Sequence, residues 1–200
     1  LDIANGGAFV ASALSGMSVT NGVLVQGGSN RSTLYVQDSS GIGFATRNAS
    51  NEIVRYTAGT AATATNSSSS TNFTLGSSLT RTAELQFHTL DINTNGGPVT
   101  LTMGSNNLSA SGATGRGILI SGTNDATITA TSGVIGGGSV FISNYSTGTT
   151  TLDISLNGQA TILGGPGLVD YTKTANPADL YVANGTFRMS GGSRDFNTGI

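Results

Sequence analysis

The sequence predicts an all-β protein, and more specifically a right-handed parallel β-helix (β-solenoid). Three observations lead to this prediction. Apolar and polar residues alternate in short runs, successive runs begin roughly 8–12 residues apart, and Gly, Asn or Ser closes almost every run. Helix is disfavoured, because Gly, Ser, Thr and Asn interrupt every window longer than about eight residues.

The alternating runs are clearest in the second part of the chain. They cover residues 85–93, 99–104, 106–112, 117–122, 126–133, 139–144, 150–158, 160–165, 167–173, 179–185 and 186–192. Residues 13–28 and 32–46 also have strand character. We therefore predict a single unit over residues 1–200, with less regular coils in 1–84 and regular short-strand coils in 85–200. The last part, 164–200, reads as a repeat-like unit.

An antiparallel sandwich or barrel is the competing architecture, and it would show hairpins with two-residue Asn-Gly turns. Three features favour the coil instead. The strands are very short, aromatic residues make up only 6% of the chain, and small residues occupy many inward positions. A narrow coil interior needs such small and β-branched side chains, stacked from one turn to the next.

One segment departs from the alternating pattern. Residues 57–78 read TAGTAATATNSSSSTNFTLGSS, which is rich in Ser, Thr and Asn. Composition of this kind is typical of exposed loops. The sequence therefore predicts a polar loop that projects from the body of the protein around residues 57–78.

The composition excludes several classes of function. Charged residues make up 9% of the chain, against about 25% in average proteins. The net charge is −2 and the eight basic residues are scattered, which argues against binding a phosphate backbone. With no Cys, disulfides and thiolate metal sites are excluded. The hydrophobic fraction of 36% argues against disorder of the whole chain.

No catalytic, cofactor-binding or metal site is predicted. The single histidine, His88, is expected on a strand surface, and the ten carboxylates are mostly isolated along the chain. A carbohydrate-active β-helix would instead bring carboxylates such as Asp91, Asp125 and Asp153 beside Arg116 in one cleft. We therefore expect that the protein is not an enzyme and that it binds no cofactor.

The segment ATITAT (126–131) places Thr127, Thr129 and Thr131 on one strand face. Stacked Thr-x-Thr rows occur in some ice-binding coils, but such a surface needs the motif in several coils. This is the one clear instance in the sequence, and outward Thr is ordinary in strands.

The C-terminal GTFRMSGGSRDFNTGI (185–200) resembles the autotransporter-associated β-strand repeat, which runs G-T-L-x-L-S-G and later turns at Y/F-T-G-G. The matching positions are Gly185, Thr186, Phe187, Met189, Ser190 and Gly191, followed by Phe196, Thr198 and Gly199. The preceding stretch resembles the family's upstream unit, with Asn176-Pro177 in place of the usual glycines. Such repeats belong to large surface proteins of planctomycete- and verrucomicrobium-like bacteria.

The resemblance implies an exported β-helix that is one stretch of a longer passenger. The first residue is Leu, and we expect a segment of a longer chain. The expected function is that of an extracellular, non-enzymatic structural or adhesive protein at the cell surface. Its expected partners are further copies stacked end to end, or the continuation of the same chain, with cell-surface glycans as a further candidate. The alternative is a carbohydrate-active or carbohydrate-binding β-helix.

Overall fold

The computed structural model describes residues 16–26, 32–109, 116–157, 161–174 and 180–191. Every regular element in these ranges is a β-strand, and none of them contains a helix. The strands divide among four sheets, two of which are antiparallel and two parallel.

The antiparallel sheets come first in the chain. Their strands are β1 (Met17–Thr20), β2 (Val23–Gln26), β3 (Tyr35–Asp38), β4 (Gly41–Arg47) and β5 (Ile53–Arg55). β1 pairs with β2, and β4 lies between β3 and β5. Asn21 and Gly22 connect β1 to β2 with φ angles of 50° and 85°. Positive φ at both positions is what a tight two-residue hairpin turn requires.

The first parallel sheet has seven strands. From one edge to the other, they are β19 (Leu180–Val182), β17 (Thr161–Gly164), β15 (Val140–Asn144), β13 (Arg116–Ser121), β10 (Thr89–Asn93), β7 (Asn72–Leu75) and β6 (Thr60–Ala61). No two neighbours in this sheet other than β6 and β7 follow each other directly in the chain, because strands of the second parallel sheet intervene.

The second parallel sheet has eight strands. Six form its main path: β20 (Thr186–Met189), β18 (Leu168–Tyr171), β16 (Thr150–Asn157), β14 (Ala126–Gly136), β11 (Val99–Thr102) and β8 (Leu79–Thr80). The other two, β12 (Leu108–Ser109) and β9 (Leu85–Gln86), extend from the far end of β14. The register of β14 with β16 shifts between Thr129 and Val134, which allows the long strand to continue after a bulge.

Alternating side chains give these strands one apolar face. In β16, the buried positions Leu152, Ile154 and Leu156 alternate with half-buried polar ones. The buried residues of both parallel sheets meet in one core cluster, which includes Leu90, Ile118 and Ile128. Hydrophobic burial of this continuous core is the main stabilising contribution to the parallel part.

The outer face of the seven-stranded sheet is covered by the antiparallel strands, and we call it the covered face. Leu119 lies on this face and packs with Val23, Val25, Tyr35 and Phe44. The outer face of the eight-stranded sheet carries half-buried polar side chains, and we call it the open face; they include Thr100, Thr102, Thr127, Thr129, Thr151 and Asp153.

Gly117 shows how closely the first part of the chain approaches the covered face. A Cβ atom at this position would overlap the Ser32 carbonyl oxygen and the Phe44 ring. Tyr35 adds a polar contact, because its hydroxyl lies 2.8 Å from the Ser143 hydroxyl on the same face. The antiparallel strands are therefore fitted to the covered face by both apolar and polar contacts.

The prediction of a right-handed parallel β-helix over residues 1–200 is wrong. Four separate sheets are present, and the described residues show no closed solenoid. The physical reason lies in the connections of the first part. Tight turns at Asn21-Gly22 and between Asp38 and Gly41 return the chain directly, so neighbouring strands pair antiparallel. The chain has an Asn-Gly dipeptide at residues 21–22, and such two-residue turns are what an antiparallel architecture is expected to show.

The predicted projecting loop at residues 57–78 is also wrong. Its last part forms β7, an internal strand of the seven-stranded sheet, and Phe73 is buried in the core. The Ser-rich part is fastened by the buried Arg81, which donates hydrogen bonds to the backbone carbonyls of Thr63 and Asn66. The polar composition concealed this order, because Arg81, the partner of these polar groups, comes from a later part of the chain.

Candidate functional site

His88 is buried, so the prediction that it lies on a strand surface is wrong. Its side chain is 1% exposed, and Arg116 Nη1 donates a hydrogen bond of 2.8 Å to its Nδ1. Burial, together with the Arg116 charge, lowers the pKa of His88 to about 4. The ring is therefore neutral at neutral pH. Arg116 also donates to the Ser69 carbonyl, so this pair links the Ser-rich segment to the seven-stranded sheet.

The carboxylates of the carbohydrate-active alternative do not converge in one cleft. Asp91 lies on β10 in the seven-stranded sheet, whereas Asp153 lies on β16 in the eight-stranded sheet. Asp153 accepts a hydrogen bond from Thr129 and pairs with Lys173 at 3.3 Å. Asp125 accepts the Thr149 backbone N–H, and Arg116 is engaged by His88.

The threonines of ATITAT have stacked partners that the sequence reading missed. Thr127 is paired with Thr100 on one side and Thr151 on the other, and Thr129 is paired with Thr102. These partners lie more than twenty residues away in the chain, in segments without an obvious common motif. The array is interrupted after three strands, where Asp153 and Asp170 follow in the same two columns.

The described residues show neither a metal-binding cluster nor a membrane-spanning helix. No group of three or more His, Cys, Asp or Glu side chains is placed to hold a metal ion. Among the same residues, no helix has the length and hydropathy to cross a membrane.

A small pocket lies between the three-stranded antiparallel sheet and the covered face, and we call it the Asp91 pocket. Its volume is about 130 Å³. It is lined by Phe44, Arg55, Tyr56, Thr57, Gly59, Asn72, Phe73, Thr74, Thr89 and Asp91. The antiparallel strands and the segment after them supply the aromatic ring of Tyr56 and the guanidinium of Arg55. The parallel sheet supplies the carboxyl of Asp91.

Asp91 points into this pocket because of strand alternation. Its neighbours Leu90 and Ile92 enter the core, so Asp91 faces the opposite side of the sheet. Its Oδ1 atom is enclosed and has no hydrogen-bond partner among the described residues. Burial raises the pKa of Asp91 to about 6, although the Arg55 charge and the Ser121 hydroxyl oppose this change.

Arg55 is held at the pocket by a second carboxylate. Its Nε atom lies 3.1 Å from Oδ2 of Asp38 and 3.2 Å from Oδ1. Asp38 in turn accepts the Ser40 backbone N–H in the β3–β4 turn. The hairpin therefore fixes the direction of the guanidinium before any ligand is present. Sequence reasoning missed this site, because Asp38, Arg55 and Asp91 are distant in the chain.

The ends of the parallel sheets form a different kind of surface. At one end, β19 and β20 are the last strands, and Tyr181 and Val182 are 60% and 46% exposed. Leu180, Phe187 and Met189 are partly buried against the core. At the other end, Ala62 and Leu79 are likewise partly buried against it. Among the described residues, apolar side chains of the core are therefore only partly covered at each end.

The chain was compared with protein-family models, with curated proteins and with solved structures, and no match was found in any of the three.

Proposed function

We propose that this chain is a non-enzymatic structural protein of the bacterial cell exterior, and that its copies join end to end through the edges of the two parallel sheets. One observation carries the proposal. A column of stacked residues runs through the shared core, and at each of its two ends the last apolar side chain is only half-buried.

This column lies in the eight-stranded sheet. Its inward residues, in order of strand pairing, are Leu79, Leu101, Ile128, Leu152, Tyr171 and Met189. The four internal residues are fully buried, whereas Leu79 and Met189 are only partly buried. Placing Leu79 of one copy over Met189 of another would continue the column and remove both side chains from water. Burial of apolar surface in this way is favourable.

The strand edges give the contact a direction. An edge strand presents unpaired backbone groups that can pair with a strand of another chain. The β19–β20 end and the β6–β8 end are different surfaces, so the contact joins unlike ends. A contact between unlike ends that does not close into a ring produces a filament.

Location at the cell exterior is supported by the resemblance of residues 185–199 to the autotransporter-associated repeat, which belongs to exported surface proteins. The scarcity of charge, 9% of residues, would also suit close packing of neighbouring filaments.

The test is sedimentation and electron microscopy of the purified chain over a range of concentrations. We expect filaments whose axial repeat lies between about 29 Å and about 34 Å, from the six strands on the main path of the eight-stranded sheet and the seven of the other sheet, spaced about 4.8 Å apart. Val182→Lys should abolish them, because it places a charge in the contact. Val19→Lys is a matched control, since Val19 is 47% exposed on β1, a strand that belongs to neither parallel sheet.

Uniform single copies of the wild-type chain at high concentration would contradict the proposal. Equal loss of filaments in the Val19→Lys and Val182→Lys variants would also contradict it, because the effect would then not belong to the sheet edge. Assembly that requires a longer form of the chain would indicate that the next strands come from the same polypeptide.

A further inference from the structure

We propose that the Asp91 pocket is a binding site for a single neutral sugar ring, held between the Asp91 carboxyl and the Arg55 guanidinium. This inference rests on different observations from end-to-end assembly, because the pocket lies between the antiparallel strands and the covered face. Gly59 and the β7 residues Asn72 and Thr74 place it near the β6 edge of the seven-stranded sheet.

The size of the pocket selects the class of ligand. Its volume is about 130 Å³, and a protein cavity of about 150 Å³ accommodates one benzene molecule. Because the pocket is smaller than that cavity and a hexose is larger than benzene, the pocket can enclose one edge of a sugar ring with its hydroxyls, and the rest of the ring must extend past the rim. Thr57 at the rim is exposed, so a substituent on the ring could extend to solvent there.

The polar groups select a ligand that both donates and accepts hydrogen bonds. The enclosed Oδ1 of Asp91 accepts no hydrogen bond of ordinary geometry among the described residues, although the Ser121 hydroxyl is near enough to lower the pKa of Asp91. A buried acceptor that is satisfied only weakly in this way is costly, and a donor on a ligand would relieve that cost. Arg55 lines the same pocket and can only donate. Hydroxyl groups do both, so two neighbouring hydroxyls of one sugar ring could satisfy Asp91 and Arg55 together.

The remaining walls fit the other parts of a sugar. Phe44 and Tyr56 contribute aromatic rings, against which the C–H face of a sugar can pack. Thr74 and Thr89 contribute further side chains of mixed polar and apolar character. Pockets that combine apolar walls with a few fixed polar groups are the usual form of small-molecule sites.

The charges disfavour an anionic ligand. Arg55 is already paired with Asp38 at 3.1 Å, and Asp91 is a second carboxyl group beside the same guanidinium. A ligand carboxylate would therefore meet two acidic groups and one cation that is already engaged. A neutral sugar avoids this repulsion, and the hexuronates serve as the contrasting probe.

The experiment is saturation-transfer NMR of the wild-type chain with D-glucose, D-galactose and D-mannose as probes, followed by titration of any sugar that binds. We expect at least one of them to bind with a dissociation constant on the order of 1 mM, as for a small ligand of few atoms. Asp91→Asn should weaken binding about tenfold, because a hydrogen bond to a charged group is lost. Asp125→Asn is the matched control and should leave binding unchanged, since Asp125 lies outside the pocket.

A second readout uses the wild-type chain and does not depend on how a variant folds. The carboxyl carbon of Asp91 is followed by NMR as a function of pH, with and without the sugar. A hydroxyl that donates to the carboxylate stabilises its charged form. Saturating sugar should therefore lower the pKa of Asp91 below its value of about 6.

The proposal is overturned if none of the three hexoses binds, or if the sugar leaves the Asp91 titration unchanged. It is also overturned if glucuronate binds more tightly than glucose, because the site would then prefer an anion. Binding of glycine in place of the sugars would assign the Asp91 and Arg55 pair to an amino-acid zwitterion instead.

Discussion

The covered face and the open face are built on equivalent sheets but have different surroundings. Both parallel sheets direct alternate side chains into one core and the others outward. On the covered face, the antiparallel strands bury the outward side chains, so Leu119 is 0% exposed. On the open face, the outward positions are threonines in contact with water, with Asp153 paired to Lys173. The difference indicates that the covering antiparallel strands, and not the parallel sheet itself, create the buried site in which the pKa of Asp91 is raised.

The largest expected effect on the free energy of unfolding comes from removing a side chain of the covered face on which the antiparallel strands pack. Leu119→Ala should lower the free energy of unfolding by about 2–5 kcal/mol, because it leaves a cavity between the covered face and the antiparallel strands. On the open face, Thr127→Ala should change it by no more than about 0.5 kcal/mol. Urea unfolding followed by circular dichroism measures both. Equal losses in the two variants would remove the distinction between the faces.

The Asp91→Asn variant should be more stable than the wild-type chain above pH 6. Burial raises the pKa of the folded carboxyl from 3.8 to about 6. Between these values the folded state binds more protons than the unfolded state, so stability falls as the pH rises. The full difference is about two pKa units, or about 3 kcal/mol. Urea midpoints measured across this interval should show the gain, and no gain would mean that Asp91 is solvated.

His88→Gln should have the opposite dependence on pH. The folded pKa of His88 is lowered from 6.5 to about 4, so the unfolded state binds the proton more readily. The contribution of His88 to wild-type stability should therefore fall as the pH decreases through this interval, and the variant should lack this contribution. The His88 and Asp91 contributions oppose each other over nearly the same interval. Each single variant should therefore show a steeper pH profile than the wild-type chain.

The smallest expected effect lies on the open face. Lys173→Ala removes an ion pair with Asp153 that is partly exposed to solvent. Its cost should be about 1 kcal/mol or less, and it should shrink further at high salt. Unfolding at low and high ionic strength checks this. A salt-independent loss of several kcal/mol would show that the open face is covered as well.

Local sequence determined the strands of this protein. The alternation in LQFHTLDIN and TTLDISLN places Leu90, Ile92, Leu152 and Ile154 on one side of each strand, and the structure buries these four residues. Alternation is a property of neighbouring residues, so it can be read without knowing the fold. The Asn21-Gly22 dipeptide suits the positive φ angles of its hairpin turn, but the prediction of a coil overlooked it.

Tertiary structure decided how the strands pair, which of them cover others, and where polar groups meet. The two outward neighbours Asp91 and Leu119 sit side by side although twenty-eight positions separate them in the chain. Arg55, Asp38 and Asp91 converge only because the antiparallel sheet folds back over the covered face. The burial of His88 and the ordering of the Ser-rich segment by Arg81 have the same cause. Sequence patterns report the preferences of single strands, whereas desolvation and pairing of charges depend on which distant segments are packed against them.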